Sequence, residues 1–156
     1  MDKQRRRFLK TGADLTFMAL TMIAGLITSK IVHAAAWNKD AFAAKGIVAV
    51  LTALGGTPPA ASKEIELVAP DNADNGAAVP ITINSKLPGT QSIALLVEKN
   101  PNTLSALFEI PEGTDASITT RVKMAETSRV SALVKANGKY YVAEKEIRVT
   151  LGGCGD

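Results

Sequence analysis

Asn137-Gly138 lies between two strand-like runs, residues 129–135 and 139–143. Asn-Gly suits a two-residue hairpin turn, because both central residues of that turn need a positive φ. The dipeptide therefore ties these two runs into an antiparallel hairpin. The rest of the region repeats the pattern of short runs cut by turn formers. Residues 65–68 end at Pro70, and 71–76 form a polar turn region. Residues 79–83 alternate apolar with smaller side chains before the turn signal Pro88-Gly89. The run 92–98 contains Ile93-Ala94-Leu95-Leu96-Val97 and fits a buried strand. Asn100-Pro101-Asn102 breaks it, 104–110 comes next, and Pro111-Glu112-Gly113 is another turn. In 117–124, Ile118, Thr120, Val122 and Met124 share one face, with Thr119, Arg121 and Lys123 on the other. In 146–151, Ile147, Val149 and Leu151 alternate with Arg148 and Thr150.

About seven short strands with regular turns make this a mainly β chain. The expected architecture is an antiparallel immunoglobulin-like β-sandwich over 62–151, with an N-terminal helix and a flexible C-terminal arm. The Cys…Trp…Cys core of antibody-type domains is absent, so the likeness is one of architecture. Alternation puts one ring of Tyr140-Tyr141 inward and the other outward. Upstream, 38–54 reads as a helix within a helix-and-linker segment, 37–61. Asn38 caps its start, and Asp40 sits favourably in its first turn. Phe42, Ile47, Val50, Leu51 and Leu54 fall mostly on one side. Gly55-Gly56 and Pro58-Pro59 stop it. Such a helix either covers the domain's own core or docks a partner.

Residues 1–36 read as a cleaved twin-arginine export signal. Arg5 and Arg6, with Arg7 after them, precede Phe8, Leu9 and Lys10 at the spacing such signals use. The apolar stretch 15–27 is diluted by Thr16, Thr21 and Gly25 and is shorter than the ~20 residues a membrane span needs. Val32-His33-Ala34-Ala35-Ala36 offers small residues to a signal peptidase. The expected location is the periplasm, with no membrane attachment after cleavage. That route usually carries folded cargo, yet no cofactor motif stands out. Folding in the cytoplasm with a partner that lacks its own signal would explain it.

Cleavage also changes the charge. The full chain carries 18 Lys+Arg and 15 Asp+Glu. The leader holds six bases and two acids, which leaves 12 bases and 13 acids. The mature part is near neutral and has no basic patch to suggest nucleic acid. The one histidine, His33, lies in the leader. A Cys–His pair and a His-based zinc site are therefore excluded from the mature chain. Asp71, Asp74 and Asn75 lack the spacing and later glutamate of a calcium loop and read as a solvated turn. Glu109, Glu112 and Asp115 read as exposed loop charges. No metal and no catalytic residue is expected.

The chain ends Leu151-Gly152-Gly153-Cys154-Gly155-Asp156, and Cys154 is its one cysteine. Gly152, Gly153 and Gly155 leave the thiol without bulky neighbours on a slender arm. One cysteine makes no internal disulfide. In an oxidising compartment an odd cysteine points to intermolecular pairing or a reactive thiol. Three residues past Leu151, at ~3.3 Å each, the arm projects the thiol by roughly 10 Å, enough to enter a cleft on another protein. No Lys, Arg or His comes after Leu151 to favour the thiolate, so a partner would have to activate it.

The mature chain resembles the SoxY family, the sulfur-carrier subunits of the periplasmic Sox thiosulfate-oxidation system. The resemblance rests on the twin-arginine leader, Asn75-Gly76-Ala77-Ala78-Val79-Pro80, Ile110-Pro111-Glu112-Gly113-Thr114 and Arg121-Val122-Lys123-Met124. It continues through Val134-Lys135-Ala136-Asn137-Gly138-Lys139 and Val149-Thr150-Leu151-Gly152-Gly153-Cys154-Gly155. The family tail commonly ends Gly-Gly-Cys-Gly-Gly, whereas Asp156 ends this chain. The resemblance implies a non-enzymatic carrier whose Cys154 holds a covalent sulfur or thiosulfonate adduct, with no other cofactor. It implies a heterodimer with a SoxZ-like β-sandwich subunit. It also implies a haem-containing enzyme that ligates thiosulfate, a dimetal hydrolase that releases sulfate and, in some systems, a sulfane dehydrogenase. The competing class is a periplasmic assembly or adhesion module that dimerises through Cys154. A standalone thiol oxidoreductase ranks last, for want of a second cysteine or a cofactor motif.

Overall fold

The continuous apolar run at 93–97 needs cover on both faces, and the fold supplies it. In the computed structural model, which describes residues 38–150, this run lies in β5 (Thr90–Val97), where every residue from Ser92 to Val97 is buried. The export-signal residues Arg5, Arg6, Phe8, Leu9 and Lys10, along with Trp37, Leu151 and the arm residues Gly152, Gly153, Cys154 and Gly155, lie outside the described residues.

Two sheets form a sandwich. The larger has the order β1-β9-β8-β5-β6, with β3 also paired to β9. Its members are β1 (Ala60–Ala61), β3 (Asn72–Ala73), β5, β6 (Leu104–Glu109), β8 (Ser128–Ala136) and β9 (Lys139–Val149). The smaller has the order β2-β4-β7, made of β2 (Ile65–Val68), β4 (Val79–Ser85) and β7 (Ser117–Val122). Between them lies the main core, with Ile81, Ile83, Ile93, Leu95, Val97, Met124, Val130, Val134 and Ile147 all fully or nearly fully buried. The expected antiparallel sandwich is thus present, and the alternation over 117–124 holds, with Val122 and Met124 buried and Arg121 and Lys123 exposed.

The outer face of the large sheet carries a second core. Ala41, Val50 and Leu51 pack on Ala94, Leu96, Leu104, Leu133 and Tyr140. The helical segment therefore covers the domain's own sheet. It is two short helices where one was expected, α1 (Lys39–Ala43) and α2 (Ile47–Ala53). The break falls at Gly46, whose φ of +83° lies outside helical geometry. Asn38 caps α1 as expected, accepting from Ala41 N–H at 3.0 Å, and its amide also donates to Ala53 O at 3.2 Å, tying the two helices together. No helix among the described residues is long and apolar enough to cross a membrane.

Three further details differ from the sequence expectation. Residues 139–143 and 146–149 are one strand of 11 residues, not two runs. Both tyrosine rings pack against a core: Tyr140 under the helices, where its hydroxyl donates to Leu54 O at 3.2 Å, and Tyr141 against the main core. The sheet has cover on both faces, so alternation sends the rings to two different cores. Finally, the chain from 60 to 73 climbs alongside β9. It pairs with β9 in parallel at Ala60–Ala61, crosses to the small sheet as β2, and returns as β3. Residues 71–76, expected as a turn, thus contain a strand and the start of a 3-10 turn (Gly76–Ala78).

The base of the C-terminal arm as candidate functional site

The hairpin turn fixes where the C terminus leaves the domain. Asn137 (φ +49°) and Gly138 (φ +75°) adopt the positive angles expected of the turn. β9 starts beside it, at Lys139 opposite Ala136. It then runs 11 residues to the other end of the sandwich, a length of roughly 35 Å at ~3.3 Å per residue.

There β9 outlasts its neighbour. Its last pair with β8 is Ser128 with Ile147, which is fully buried and pins the strand to the core. Beyond it, Arg148 and Val149 pair with Asn72 and Ala73 of β3. Arg148 N–H donates to Asp71 O at 2.9 Å, and Thr150 N–H to Ala73 O at 3.1 Å. The Thr150 hydroxyl donates to Asp74 O at 3.0 Å. On the opposite edge, Val149 N–H donates to Thr127 Oγ1 at 2.9 Å. Lys145 secures the segment from below, with its ammonium 2.9 Å from the Asp71 carboxylate and also donating to Ala69 O. The chain is thus held by hydrogen bonds as far as Thr150, four residues before Cys154.

Charges around this base are mixed. Asp71 and Asp74 stand on the strap beside β9, Lys145 and Arg148 on β9 itself, and Lys99 and Glu126 lie 3.9 Å apart on neighbouring loops. Among the described residues, no three His, Cys, Asp or Glu side chains converge to hold a metal.

The sequence motifs divide between the two ends. Asn75–Pro80 and Arg121–Met124 meet at the arm end, where Met124 N–H donates to Gly76 O at 2.7 Å and Asn75 Oδ1 accepts from Ala77 N–H at 2.8 Å. Asn100 joins them, donating to Lys123 O at 2.7 Å. The motif from Ile110 to Thr114 sits at the other end and, with Lys86, Gln91 and Asn137, lines an open cleft of about 770 Å³. An arm of four residues reaches at most ~14 Å past Thr150, so this cleft is beyond the reach of the chain's own thiol. Thr127 and the β3 strap escaped the sequence reading. Neither carries a pattern, since each is defined by a contact across more than 20 residues.

Comparison with family profiles matches residues 51–154 to the family described as Sulfur oxidation protein SoxY. Comparison with curated proteins finds no match. Among solved structures, the chain is similar to the sulfur carrier protein SoxY from Chlorobium limicola f thiosulfatophilum. That similarity has a TM-score of 0.61 at 32% identity, covering 67% of this chain and 94% of that one. It also matches the superoxide reductase (neelaredoxin) from Ignicoccus hospitalis at 18% identity, covering 55% of this chain and 79% of that one, with a TM-score of 0.49. Sequence profile and three-dimensional match agree on one family, and the chain belongs to it: it is a member of the SoxY family of sulfur oxidation proteins.

Proposed function

We propose that this protein is a periplasmic covalent sulfur carrier, exported by the twin-arginine route and loaded at Cys154. The observation that carries the reading is the family match, which runs to Cys154 itself. The firm anchoring of β9 to Thr150, four residues upstream, supports it: a carrier needs a rigid body ending close to its reactive group.

The chemistry is that of a thiol and thiosulfate. Joining the Cys154 thiolate to the sulfane sulfur of thiosulfate forms a sulfur–sulfur bond and releases two electrons, which a haem-containing partner accepts. Hydrolysis of the terminal sulfonate releases sulfate and two protons and leaves a persulfide anion on the cysteine. A dimetal hydrolase supplies that second step, and a sulfane dehydrogenase, where one works downstream, oxidises the persulfide. The carrier is substrate to each of these enzymes and catalyses none of the steps. A SoxZ-like β-sandwich subunit completes the heterodimer.

The test is the intact mass of the protein from the periplasm of thiosulfate-grown cells, before and after reductant. The expected result is added sulfur-containing mass that maps to the Cys154 peptide and disappears on reduction. Cys154→Ser should abolish both the adduct and thiosulfate oxidation while leaving the unfolding transition unchanged. An unmodified thiol during active turnover, or full activity in the serine variant, would sink the carrier reading.

A further inference from the structure

The chain closes one side of its own sandwich. On the β9 side, β1 and β3 cover the edge of the large sheet. On the opposite side β6 and β7 end their sheets, each with one strand neighbour among the described residues. A terminal strand without cover leaves a row of backbone groups open. A hollow of about 520 Å³ lies here, walled by Phe42 of α1, Leu104 and Ser105 of β6 and Val122 of β7, with Arg121 and Lys123 bordering it. Neither cation forms an ion pair among the described residues. The Ser105 hydroxyl is buried without a hydrogen-bond partner among them, and such a group in a native fold calls for one.

The start of α1 points to what covers this hollow. Asn38 is the N-cap, accepting from Ala41 N–H at 3.0 Å. That fixes the helix positions: Trp37 directly precedes the cap, and Phe42 is the fourth helical residue. An apolar residue before the cap commonly packs on the fourth helical residue, which sets the angle at which the chain enters the helix. The tether is a single peptide unit, so the Trp37 Cα lies about 3.8 Å from that of Asn38. We infer that Trp37 is an N-terminal anchor whose indole packs on Phe42 and closes the hollow between β6 and β7. Its chemistry fits the walls. Leu104, Val122 and Phe42 offer apolar surface, and an indole face attracts cations such as Arg121 and Lys123. A buried indole N–H needs an acceptor, and Ser105 Oγ is one that lacks a donor. The inference stands apart from the carrier reading. It makes the first residue after the expected leader part of the folded body, on the side opposite β9.

The test uses the full 156-residue chain, in which Trp37 is the one tryptophan, so selectively excited indole fluorescence reports this site alone. The expected emission is blue-shifted from that of N-acetyltryptophanamide, with acrylamide quenching several-fold weaker, and both are independent of protein concentration. Phe42→Ala removes the residue the indole packs on, and the emission should move toward that of the free indole. Ser105→Leu fills the hollow from the β6 side and should do the same. Phe42→Leu keeps an apolar wall and should preserve the blue shift. Solvent-like emission in the unaltered chain, a reading that needs no variant, would overturn the inference. Emission unchanged in both Phe42→Ala and Ser105→Leu would overturn it too, by placing the indole elsewhere. Shielding that appears only as protein concentration rises would give the site to a second copy of the chain and overturn it as well.

Discussion

The two ends of the sandwich are built on opposite plans. At the hairpin end β8 and β9 pair to the last residue, Ala136 with Lys139, and the turn is locked onto a second turn. Asn137 donates from its side chain to Pro88 O at 2.9 Å and from its backbone to Gly89 O at 3.2 Å. Gly138 N–H donates to the Gln91 side chain at 3.2 Å. At the arm end β8 stops early, and β9 is held by one threonine and a narrow strap. The difference teaches where each end places its contacts. The hairpin end closes a fold whose register must not slip. The arm end brings β9 to a defined point at Thr150, bonded to Ala73 and Asp74 of the strap. Changes at the first should register as global stability, and changes at the second as local exchange and transfer.

The largest stability effect is expected from Gly89→Ala. Gly89 has a φ of +67°, and a Cβ there would lie 2.4 Å from Asn137 Oδ1. The left-handed conformation costs an alanine about 1 to 2 kcal/mol. Moving the Asn137 side chain aside also breaks its bond to Pro88 O, worth about 1 kcal/mol. The expected sum is about 2 to 3 kcal/mol, or a fall in Tm of roughly 10 °C for a domain of this size. Calorimetry checks the size of the loss, and the rate of Cys154 alkylation checks that the arm end is unaffected. A loss under about 0.5 kcal/mol would mean the two turns are not coupled.

A smaller and more local effect is expected at the arm end from Lys145→Met. The Asp71 partner is 85% exposed and the lysine side chain 30% exposed, so solvent screens most of this ion pair. The methionine also keeps the apolar stem. The global cost should stay at or below about 1 kcal/mol. The strap from Asp71 to Asp74 should loosen, with amide exchange at Arg148 and Thr150 about five-fold faster and exchange at the hairpin end unchanged. Equal acceleration at both ends would erase the contrast between them.

The same contrast explains what was legible in the sequence. Asn137-Gly138 encodes its turn locally, so the hairpin, its direction and its register could be read directly. The five apolar residues from Ile93 to Val97 announced a buried strand, because only a chain covered on both faces tolerates no polar alternation. The strap was not legible. Asn72-Ala73 and Ala60-Ala61 have neither alternation nor length, and both exist as strands only because β9 offers them an edge more than 70 residues away. Thr127 reads as one more loop threonine until Val149 is placed beside it. The helix break at Gly46 was hidden by a periodicity that continued across it, although the Gly46 N–H instead finds Thr103 Oγ1 at 2.8 Å.

A last effect, of about the same size, should come from Tyr140→Phe, and it separates the ends by pH. Tyr140 lies at the hairpin end under the helices, 7% exposed. Burial, and to a lesser degree the charge of Glu109, raises its phenol above the usual value of 10.0. The folded state therefore holds the phenolic proton more tightly than the unfolded chain. Stability conferred by the neutral phenol is fully present below pH 10.0 and is lost as pH rises through the folded value. Phenylalanine keeps the ring beneath Leu51 and the ring face 5.8 Å from the Lys135 ammonium. It loses the bond to Leu54 O, at about 1 kcal/mol near neutrality. Urea midpoints should favour the unaltered protein at pH 8, and the gap should narrow above pH 10. A gap that stays constant through that range would show that the phenol titrates alike in both states, leaving only the hydrogen bond to account for this tyrosine.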